Sequence, residues 1–221
     1  MTEFVVHGVP GSPYVRTVLM ALEEKDLPWR LQSVALGGNR TAAYHSIHPF
    51  QKIPTLDHGA FRLYETTAIL NYLDREEPEP ALTPDDIRRA ARMDQVMSVV
   101  NAYVAPRVSG AVTFPLLVAP RLGLAADPRV ARAAIPQACE VIDELARLLN
   151  DHDFMAGPTL SLADLMLAPH LSFLPDFEEG RTMLDGHHNL LAWIDRVKDR
   201  PSFAATEWER LLERFPMPAA A

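Results

Sequence analysis

The chain has 221 residues, 48% of them apolar, which is enough to bury the cores of two domains. Its formal charge of -8, with lysine and arginine scattered along the chain, argues against binding to nucleic acid or to an anionic membrane surface. Cys139 is the single cysteine, which excludes an intrachain disulfide and a cysteine-based metal site and favours the cytoplasm. The first residues lack the pattern of an export signal, and we expect no apolar stretch of the roughly 20 residues that a membrane span needs.

The clearest local pattern in the first part of the chain is a helix after a short strand. Residues 3–7 (EFVVH) predict the strand, and the turn-rich segment GVPGSP follows it. Ser12 is the expected N-cap of the helix and Pro13 its first residue. Its apolar positions recur at helical spacing, at Val15, Val18, Leu19 and Leu22. We expect this helix to end near Lys25.

The pattern then continues as strand, helix, hairpin and helix. Residues 28–34 predict a second strand and residues 41–48 a short helix that ends before Pro49. The segments KIPTL and FRLY predict an antiparallel hairpin with its turn at residues 57–59. A further helix is predicted by the stripe Ala68, Ile69, Tyr72 and Leu73. The order of these elements predicts an α/β domain over residues 1–77.

An acidic, proline-bearing segment (REEPEPALTP) follows, and we place a linker at residues 78–84. All later patterns are helical, so residues 85–221 are predicted to form an all-α domain. Its first helix extends to about Leu117, and Pro106 and Pro115 are expected to kink or interrupt it. Residues 128–150 predict a second long helix, and in TLSLADLMLAP Ser161 and Asp164 predict a capping box.

Three segments, taken in this order, identify a family. They are GVPGSPYVRTVLMALEEKDLPW, HPFQKIPTL with YETTAILNYL, and SLADLMLAP, and they resemble the cytosolic glutathione S-transferases over nearly the whole chain. The serine-type branch, phi-like or bacterial, is the most similar. The resemblance implies a thioredoxin-like βαβαββα domain that binds glutathione and a helical-bundle domain that contributes the hydrophobic co-substrate site. It also implies a cytoplasmic homodimer in detoxification, with glutathione as co-substrate and no permanently bound cofactor.

Ser12 is the candidate catalytic residue. Free N–H groups and the positive dipole end at a helix start favour a nearby anion such as a thiolate. A hydrogen bond from the Ser12 hydroxyl to glutathione sulfur would favour the thiolate further. Lowering the thiol pKa by two units requires about 2.7 kcal/mol, which is the order of one charge-assisted bond plus the dipole. The alternative is that Ser12 only caps the helix.

The resemblance assigns the other glutathione contacts. Pro54 matches a cis-proline that turns the preceding backbone toward the ligand, so Ile53 can pair with the peptide as an added strand; a trans proline at a strand start is the alternative. Glu65 and Thr66 stand where the family usually has Glu-Ser. Glu65 is expected to meet the ammonium group of glutathione and Thr66 the γ-glutamyl carboxylate, although Thr66 could also be a plain helix cap.

Two basic residues are candidates for the glycyl carboxylate. Arg40 and Lys52 are the best placed by resemblance, and Gln51 is a weaker polar neighbour. As isolated charges they would be ordinary surface residues. The co-substrate is expected between the domains, against a set of mainly apolar side chains: Tyr14, Tyr103, Arg107, Phe114 and Leu117.

Several other residues are assigned no chemistry. Tyr14 lies two positions after Ser12 and does not match the catalytic tyrosine of the tyrosine-type branches, and Arg16 is expected to support the helix start. Cys139 lies in a predicted core helix and is expected to be a buried structural cysteine. The pairs His187–His188 and His45–His48 lack partner ligands, so no metal site is predicted.

The function predicted from these residues is attack of the glutathione thiolate on an electrophilic carbon of a small apolar molecule. Glutathione-dependent isomerisation, peroxide reduction or dehalogenation can use the same thiolate. A non-catalytic ligand-binding protein can have the same fold. A carrier could dispense with Ser12 and the Glu65–Thr66 pair, which favours an enzyme.

Overall fold

A computed structural model describes residues 3–218. The chain divides into two compact units, the first extending up to Leu82 and including the chain from Asp199 onward, the second spanning Thr83–Lys198. The predicted boundaries differ at the C-terminus, because residues 85–221 were all assigned to the helical domain. The predicted fold class is confirmed: the first unit is a thioredoxin-like α/β domain and the second contains only helices.

The first unit contains four strands and the helices between them. Its elements are β1 (Phe4–Gly8), α1 (Pro13–Glu24), β2 (Trp29–Ser33), a 3-10 turn (Gly38–Arg40), α2 (Ala42–His45), β3 (Thr55–His58), β4 (Phe61–Tyr64) and α3 (Thr66–Glu76). The strand order is β2-β1-β3-β4, with β1 parallel to β2 and the other pairs antiparallel. The hairpin turn lies at residues 59–60, two residues beyond the predicted start, because Asp57 and His58 pair within the ladder.

Helix α1 forms the centre of this unit. All four residues of its predicted apolar stripe are fully buried, which confirms the helix and its core face. At the residue after the helix, the buried Lys25 ammonium contacts the Asp74 carboxylate at 2.8 Å and donates to the carbonyls of Glu77 and Pro80. This buried ion pair fixes the end of α1 to the end of α3.

The second unit consists of helices packed around a long first helix. Its elements are α4 (Ile87–Val99), a π-helix (Val100–Val118), α5 (Ala119–Arg121), α6 (Pro128–Leu149), α7 (Leu162–Leu171), a 3-10 turn (Leu174–Asp176), α8 (Glu178–Met183) and α9 (His188–Lys198). Pro106 and Pro115 were expected to kink or interrupt the helix, and an interruption is wrong, since the helix continues through both as π-helix. A proline in an α-helix clashes with the carbonyl four residues back, and the wider π turn moves that carbonyl away from the ring.

The continuous helix Ile87–Arg121 also differs from the expectation for membrane spans. It has 35 residues and an 18-residue window with a mean hydropathy of 1.3, so by length and composition it could cross a membrane. Core helices of soluble proteins meet the same criterion. Four evenly spaced valines of its π-helical part are fully buried: Val100, Val104, Val108 and Val112.

The predicted capping box at the start of α7 is present. The backbone N–H of Ser161 donates to Oδ2 of Asp164 at 2.9 Å, and the Ser161 hydroxyl donates to the same oxygen at 2.7 Å. The other oxygen, Oδ1, accepts from the Met155 backbone N–H at 2.8 Å and from Trp193 Nε1 at 2.9 Å. Asp164 therefore joins two helices and a turn from a fully buried position.

The C-terminal strap, residues 199–218, packs within the first unit and includes α10 (Pro201–Ala205) and α11 (Trp208–Arg214). Arg200 makes two bonds of 2.6 Å to the Glu24 carboxylate, and Ser202 also donates to it. Arg16, which is almost fully buried, donates from Nε to the Thr206 carbonyl at 2.8 Å. Arg16 therefore joins α1 to the strap, and burial lowers its pKa to about 10.

Candidate active site

One edge of the sheet gathers the ends of all four strands. Gly8 at the end of β1 pairs with Ser33 at the end of β2, and His7 pairs with Thr55 at the start of β3. Thr55 in turn pairs with Tyr64 at the end of β4. The loops that carry the predicted glutathione residues all adjoin this edge: Ser12 follows β1, Arg40 follows β2, Pro54 precedes β3 and Glu65 follows β4. The topology therefore brings together residues that are far apart in sequence.

Ser12 occupies the N-cap position of α1. Its backbone is extended, with φ -58° and ψ 128°, and its carbonyl accepts the helical bond from Arg16 N–H at 2.9 Å. Its side chain makes no capping hydrogen bond. The hydroxyl is therefore not committed to capping the helix, although the residue holds the cap position.

Glu65 and Thr66 form the start of α3. Glu65 adopts a left-handed backbone conformation with φ 70°, and its side chain makes no capping hydrogen bond. A non-glycine residue in this region is uncommon, and such strained positions cluster at functional sites. Thr66 is the first residue of the helix and is buried, with 7% exposure. The first N–H groups of α3 lack partners within the helix, as at any helix start, so this junction suits an anion.

The Glu65 carboxylate acts on two neighbouring titratable side chains. Burial, and secondly this carboxylate, raise the pKa of Tyr14 to about 12. Burial lowers the pKa of His48, and Glu65 opposes that shift. Tyr14 and His48 therefore belong to the surroundings of Glu65.

His48 is a residue of this site that the sequence did not indicate. It is almost fully buried, its ring centroid lies 4.6 Å from that of Tyr64, and its Nδ1 accepts from the Phe50 backbone N–H at 3.2 Å. In the sequence it is one histidine at the end of a predicted short helix, directly before a proline. No periodic or spaced pattern marks it, because its place depends on the pairing of β3 with β4.

The peptide bond between Ile53 and Pro54 is cis, which confirms that expectation. Pro54 is buried and Ile53 partly exposed, and both precede the first ladder residue of β3, Thr55. The backbone of Ile53 thus lies outside the β3 ladder, at the edge of the sheet that the other loops adjoin.

Two loops that carry the predicted basic residues are joined by side-chain amides. Asn39 Nδ2 donates to the Gln51 carbonyl at 2.7 Å, and Gln51 Nε2 donates to the Arg40 carbonyl at 3.1 Å. Arg40 and Lys52 are both exposed. The amide pair therefore holds the turn of Arg40 next to the segment of Lys52 and leaves both cationic groups accessible to solvent.

The predicted co-substrate residues lie in different units. Tyr14 belongs to the first unit, while Tyr103, Arg107, Phe114 and Leu117 lie on the π-helix of the second. Tyr103 and Phe114 are 46% and 43% exposed, which is high for large aromatic side chains. The Arg107 guanidinium lies 5.1 Å from the centroid of the Tyr103 ring. The second unit thus presents an aromatic surface along its long helix.

Cys139 differs from its expected environment. It lies on α6 and is partly exposed, where a buried position was predicted. Burial of the thiol, and secondly the Asp143 carboxylate, raise its pKa. A raised pKa keeps the sulfur protonated and weakly nucleophilic. Within residues 3–218, no group of three or more His, Cys, Asp or Glu side chains could hold a metal ion.

Comparison with known proteins yields one family for both units. The family described as Glutathione S-transferase, N-terminal domain, matches residues 6–81, and Glutathione S-transferase, C-terminal domain, matches residues 104–201. Glutathione S-transferase 3 of Zea mays is 30% identical over 93% of this chain and 94% of its own length. A glutathione S-transferase of Hyoscyamus muticus is 26% identical over 94% and 97%. The crystal structure of glutathione transferase F2 from Populus trichocarpa has a TM-score of 0.82 at 26% identity, covering 94% of this chain and 98% of that one.

Proposed function

The chain belongs to the glutathione S-transferase family, and we propose that within this family it is a serine-type enzyme in which Ser12 activates glutathione. Its relatives are transferases, so the reaction is conjugation of glutathione, through its sulfur, to an electrophile. Glutathione is a co-substrate here and not a resident cofactor. The observation that carries the proposal is the uncommitted Ser12 hydroxyl at the start of α1.

The chemistry follows from the position of Ser12. Its hydroxyl donates a hydrogen bond to the sulfur, and the helix N-terminus adds a positive field, so both favour the thiolate over the thiol. The thiolate attacks the electrophilic carbon and forms the S–C bond while the leaving group departs or a double bond accepts the electron pair. The enzyme forms no covalent intermediate, since it activates one reactant and holds it beside the other.

The remaining residues at the sheet edge are proposed to bind the rest of glutathione. Glu65 binds the ammonium group, and the start of α3 with Thr66 binds the γ-glutamyl carboxylate. The backbone of Ile53, before Pro54, pairs with the peptide of glutathione. The convergence of these loops at one edge of the sheet supports this assignment.

The glycyl carboxylate is proposed to bind Arg40 and Lys52. The amide pair of Asn39 and Gln51 supports this role, because it links the two loops. Two cations held near each other attract a carboxylate more strongly than either one alone.

The second substrate is proposed to be a small apolar electrophile. Tyr14 from the first unit and Tyr103, Arg107, Phe114 and Leu117 from the second are its proposed contacts. The exposure of Tyr103 and Phe114 supports this choice, since large exposed aromatic side chains often mark binding surfaces. Tyr14 stays a neutral phenol even in mildly alkaline solution, because burial raises its pKa to about 12.

Assembly and location are also proposals. The family resemblance suggests a homodimer that works in the cytoplasm. Size-exclusion chromatography with light scattering tests the first, and a monomer at micromolar concentration would contradict it. Cell fractionation of the native host tests the second, and recovery outside the cytoplasmic fraction would contradict it.

The reaction is tested by incubating the protein with glutathione and a panel of electrophiles: an activated aryl chloride, an α,β-unsaturated carbonyl and an organic hydroperoxide. We expect glutathione conjugates of the first two, identified by mass spectrometry. Below about pH 6, Ser12→Ala should lower the rate up to about 100-fold, in line with two units of thiol pKa. Ser98→Ala, which alters an exposed helix position in the second unit, is the matched control. Binding of glutathione and apolar dyes with neither a conjugate nor reduction of the hydroperoxide to its alcohol would overturn the proposal in favour of a carrier.

A further inference from the structure

The C-terminal strap runs beside α1 in the opposite direction. Three contacts follow in order along the two segments: Trp208 with Gly11, Phe203 and Thr206 with Arg16, and Arg200 with Glu24. The strap therefore contacts the C-terminal end of α1, the first turn of α1 and the loop just before this helix. That loop carries Ser12.

The contact at Gly11 leaves no room for a side chain on that residue. A Cβ atom built on Gly11 would lie 2.5 Å from Cδ1, 2.6 Å from Cγ and 2.8 Å from Nε1 of Trp208. The indole ring thus rests directly on the backbone at Gly11, which itself has φ +85°. Any larger residue would meet both the ring and an unfavourable backbone conformation. The next residue along the chain is Ser12.

Trp208 is held in this place by packing. Trp208 is only 8% exposed, and its Nε1 has no hydrogen-bond partner among the described residues. The other tryptophans differ, since Trp29 Nε1 donates to Glu23 and Trp193 Nε1 donates to Asp164. The contribution of Trp208 to the fold is therefore the shape of its ring on the backbone of Gly11.

We propose that Trp208 is a positioning residue for glutathione activation, which acts by fixing the backbone at Gly11 and thereby the place of the Ser12 hydroxyl. This inference rests on the proposed role of Ser12. Hydrogen-bond strength falls steeply with misalignment, and small displacements of a reacting group have large effects on rate. Without the ring, the loop before α1 gains room to move, and the hydroxyl loses its alignment with the sulfur.

The test compares Trp208→Ala, Trp208→Phe, Ser12→Ala and the native protein. The thiol pKa of bound glutathione is measured by ultraviolet difference titration, and kcat/KM is measured across the same pH range. Trp208→Ala is expected to raise the thiol pKa by about one unit, which leaves about a tenth of the thiolate at pH 6. Its kcat/KM should then be about tenfold below native at pH 6 and approach the native value at pH 9.5, where both thiols are ionised.

Two variants separate positioning from a general loss of structure. Trp29→Ala removes another buried tryptophan from the first unit, one that also contacts the strap at Phe215. It should lower Tm without changing the thiol pKa. Trp208→Phe keeps a ring on Gly11 and should keep a native thiol pKa. If Trp208→Ala does not fold, Trp208→Leu replaces it, with a pKa shift in the same direction.

The outcomes separate the proposed role of Trp208 from that of Ser12. A native thiol pKa in Trp208→Ala or Trp208→Leu, beside a raised one in Ser12→Ala, overturns the role of Trp208 and leaves that of Ser12. An unchanged thiol pKa in Ser12→Ala overturns the role of Ser12 itself. A shift in Trp208→Phe as large as that in Trp208→Ala overturns positioning by an aromatic ring packed on Gly11. A rate loss in Trp208→Ala that is equal at pH 6 and pH 9.5 also counts against it.

Discussion

Replacing Asp164 tests how much of the second unit depends on one buried carboxylate. In Asp164→Ala, three buried N–H donors lose their acceptor: the backbone groups of Met155 and Ser161, and Nε1 of Trp193. Each unpaired donor costs about 1–3 kcal/mol, and removal of the fully buried carboxylate relieves its own desolvation. We therefore expect a loss of about 3–5 kcal/mol in the free energy of unfolding.

Asp164→Asn keeps the size of the side chain and replaces one acceptor oxygen with an NH2 group. The amide oxygen can accept from one pair of donors, while the NH2 group faces the other pair. We therefore expect a loss of about 2–3 kcal/mol in the free energy of unfolding. Urea unfolding followed by tryptophan fluorescence measures both variants. Asp143→Ala is the control, because Asp143 forms an exposed contact of 2.9 Å with His187 and should cost less than about 1 kcal/mol. A loss for Asp164→Ala as small as that of Asp143→Ala would refute the account of the capping box.

Three further results are expected from the same structure. Since the pKa of Tyr14 is about 12, Tyr14→Phe should leave the shape of the pH profile of kcat/KM unchanged between pH 6 and 9. A change in an apparent pKa of that profile would contradict this. Burial lowers the pKa of His170 to about 3, below the roughly 6.5 of an unfolded histidine. The contribution of neutral His170 to the free energy of unfolding is therefore complete above pH 6.5, and it falls by about 1.4 kcal/mol per pH unit as the pH drops below that value. His170→Asn can still bond Ser109, and it should reduce the loss of unfolding free energy between pH 7 and pH 5, measured by urea unfolding. The same loss in the variant and the native protein would contradict this. Glu65→Gln should raise the KM for glutathione roughly tenfold through loss of a charge-assisted bond. Glu76→Gln, at the other end of α3, should leave this KM unchanged. Equal KM values for Glu65→Gln and the native protein would remove Glu65 from the site.

Local signals were enough to predict the elements of the first unit. The start of α1 at Pro13 and its buried stripe depend on neighbouring residues only, and the same holds for the capping box of Ser161 and Asp164. The candidate glutathione residues came from motifs, and their convergence at one sheet edge required the strand order. That order depends on pairings such as His7 with Thr55, which no local pattern encodes.

The features that the sequence did not predict arise from contacts between distant residues. Arg200 and Glu24 are 176 positions apart, and nothing near either one indicates that the strap belongs to the first unit. The packing of Trp208 on Gly11 depends on the same long-range docking. The π-helix is a different case. The prolines predicted a kink or a break, because the sequence does not specify whether a helix ends at a proline, bends there or widens around it.

The most direct test of the central claim is the ultraviolet difference titration of glutathione bound to the native protein and to Ser12→Ala. We expect a thiolate signal with a pKa about two units below the free-thiol value of about 8.5, and its return toward 8.5 in the variant. Tight glutathione binding with an unshifted thiol in both proteins would contradict the role of Ser12, and so would a lowered pKa that Ser12→Ala leaves unchanged.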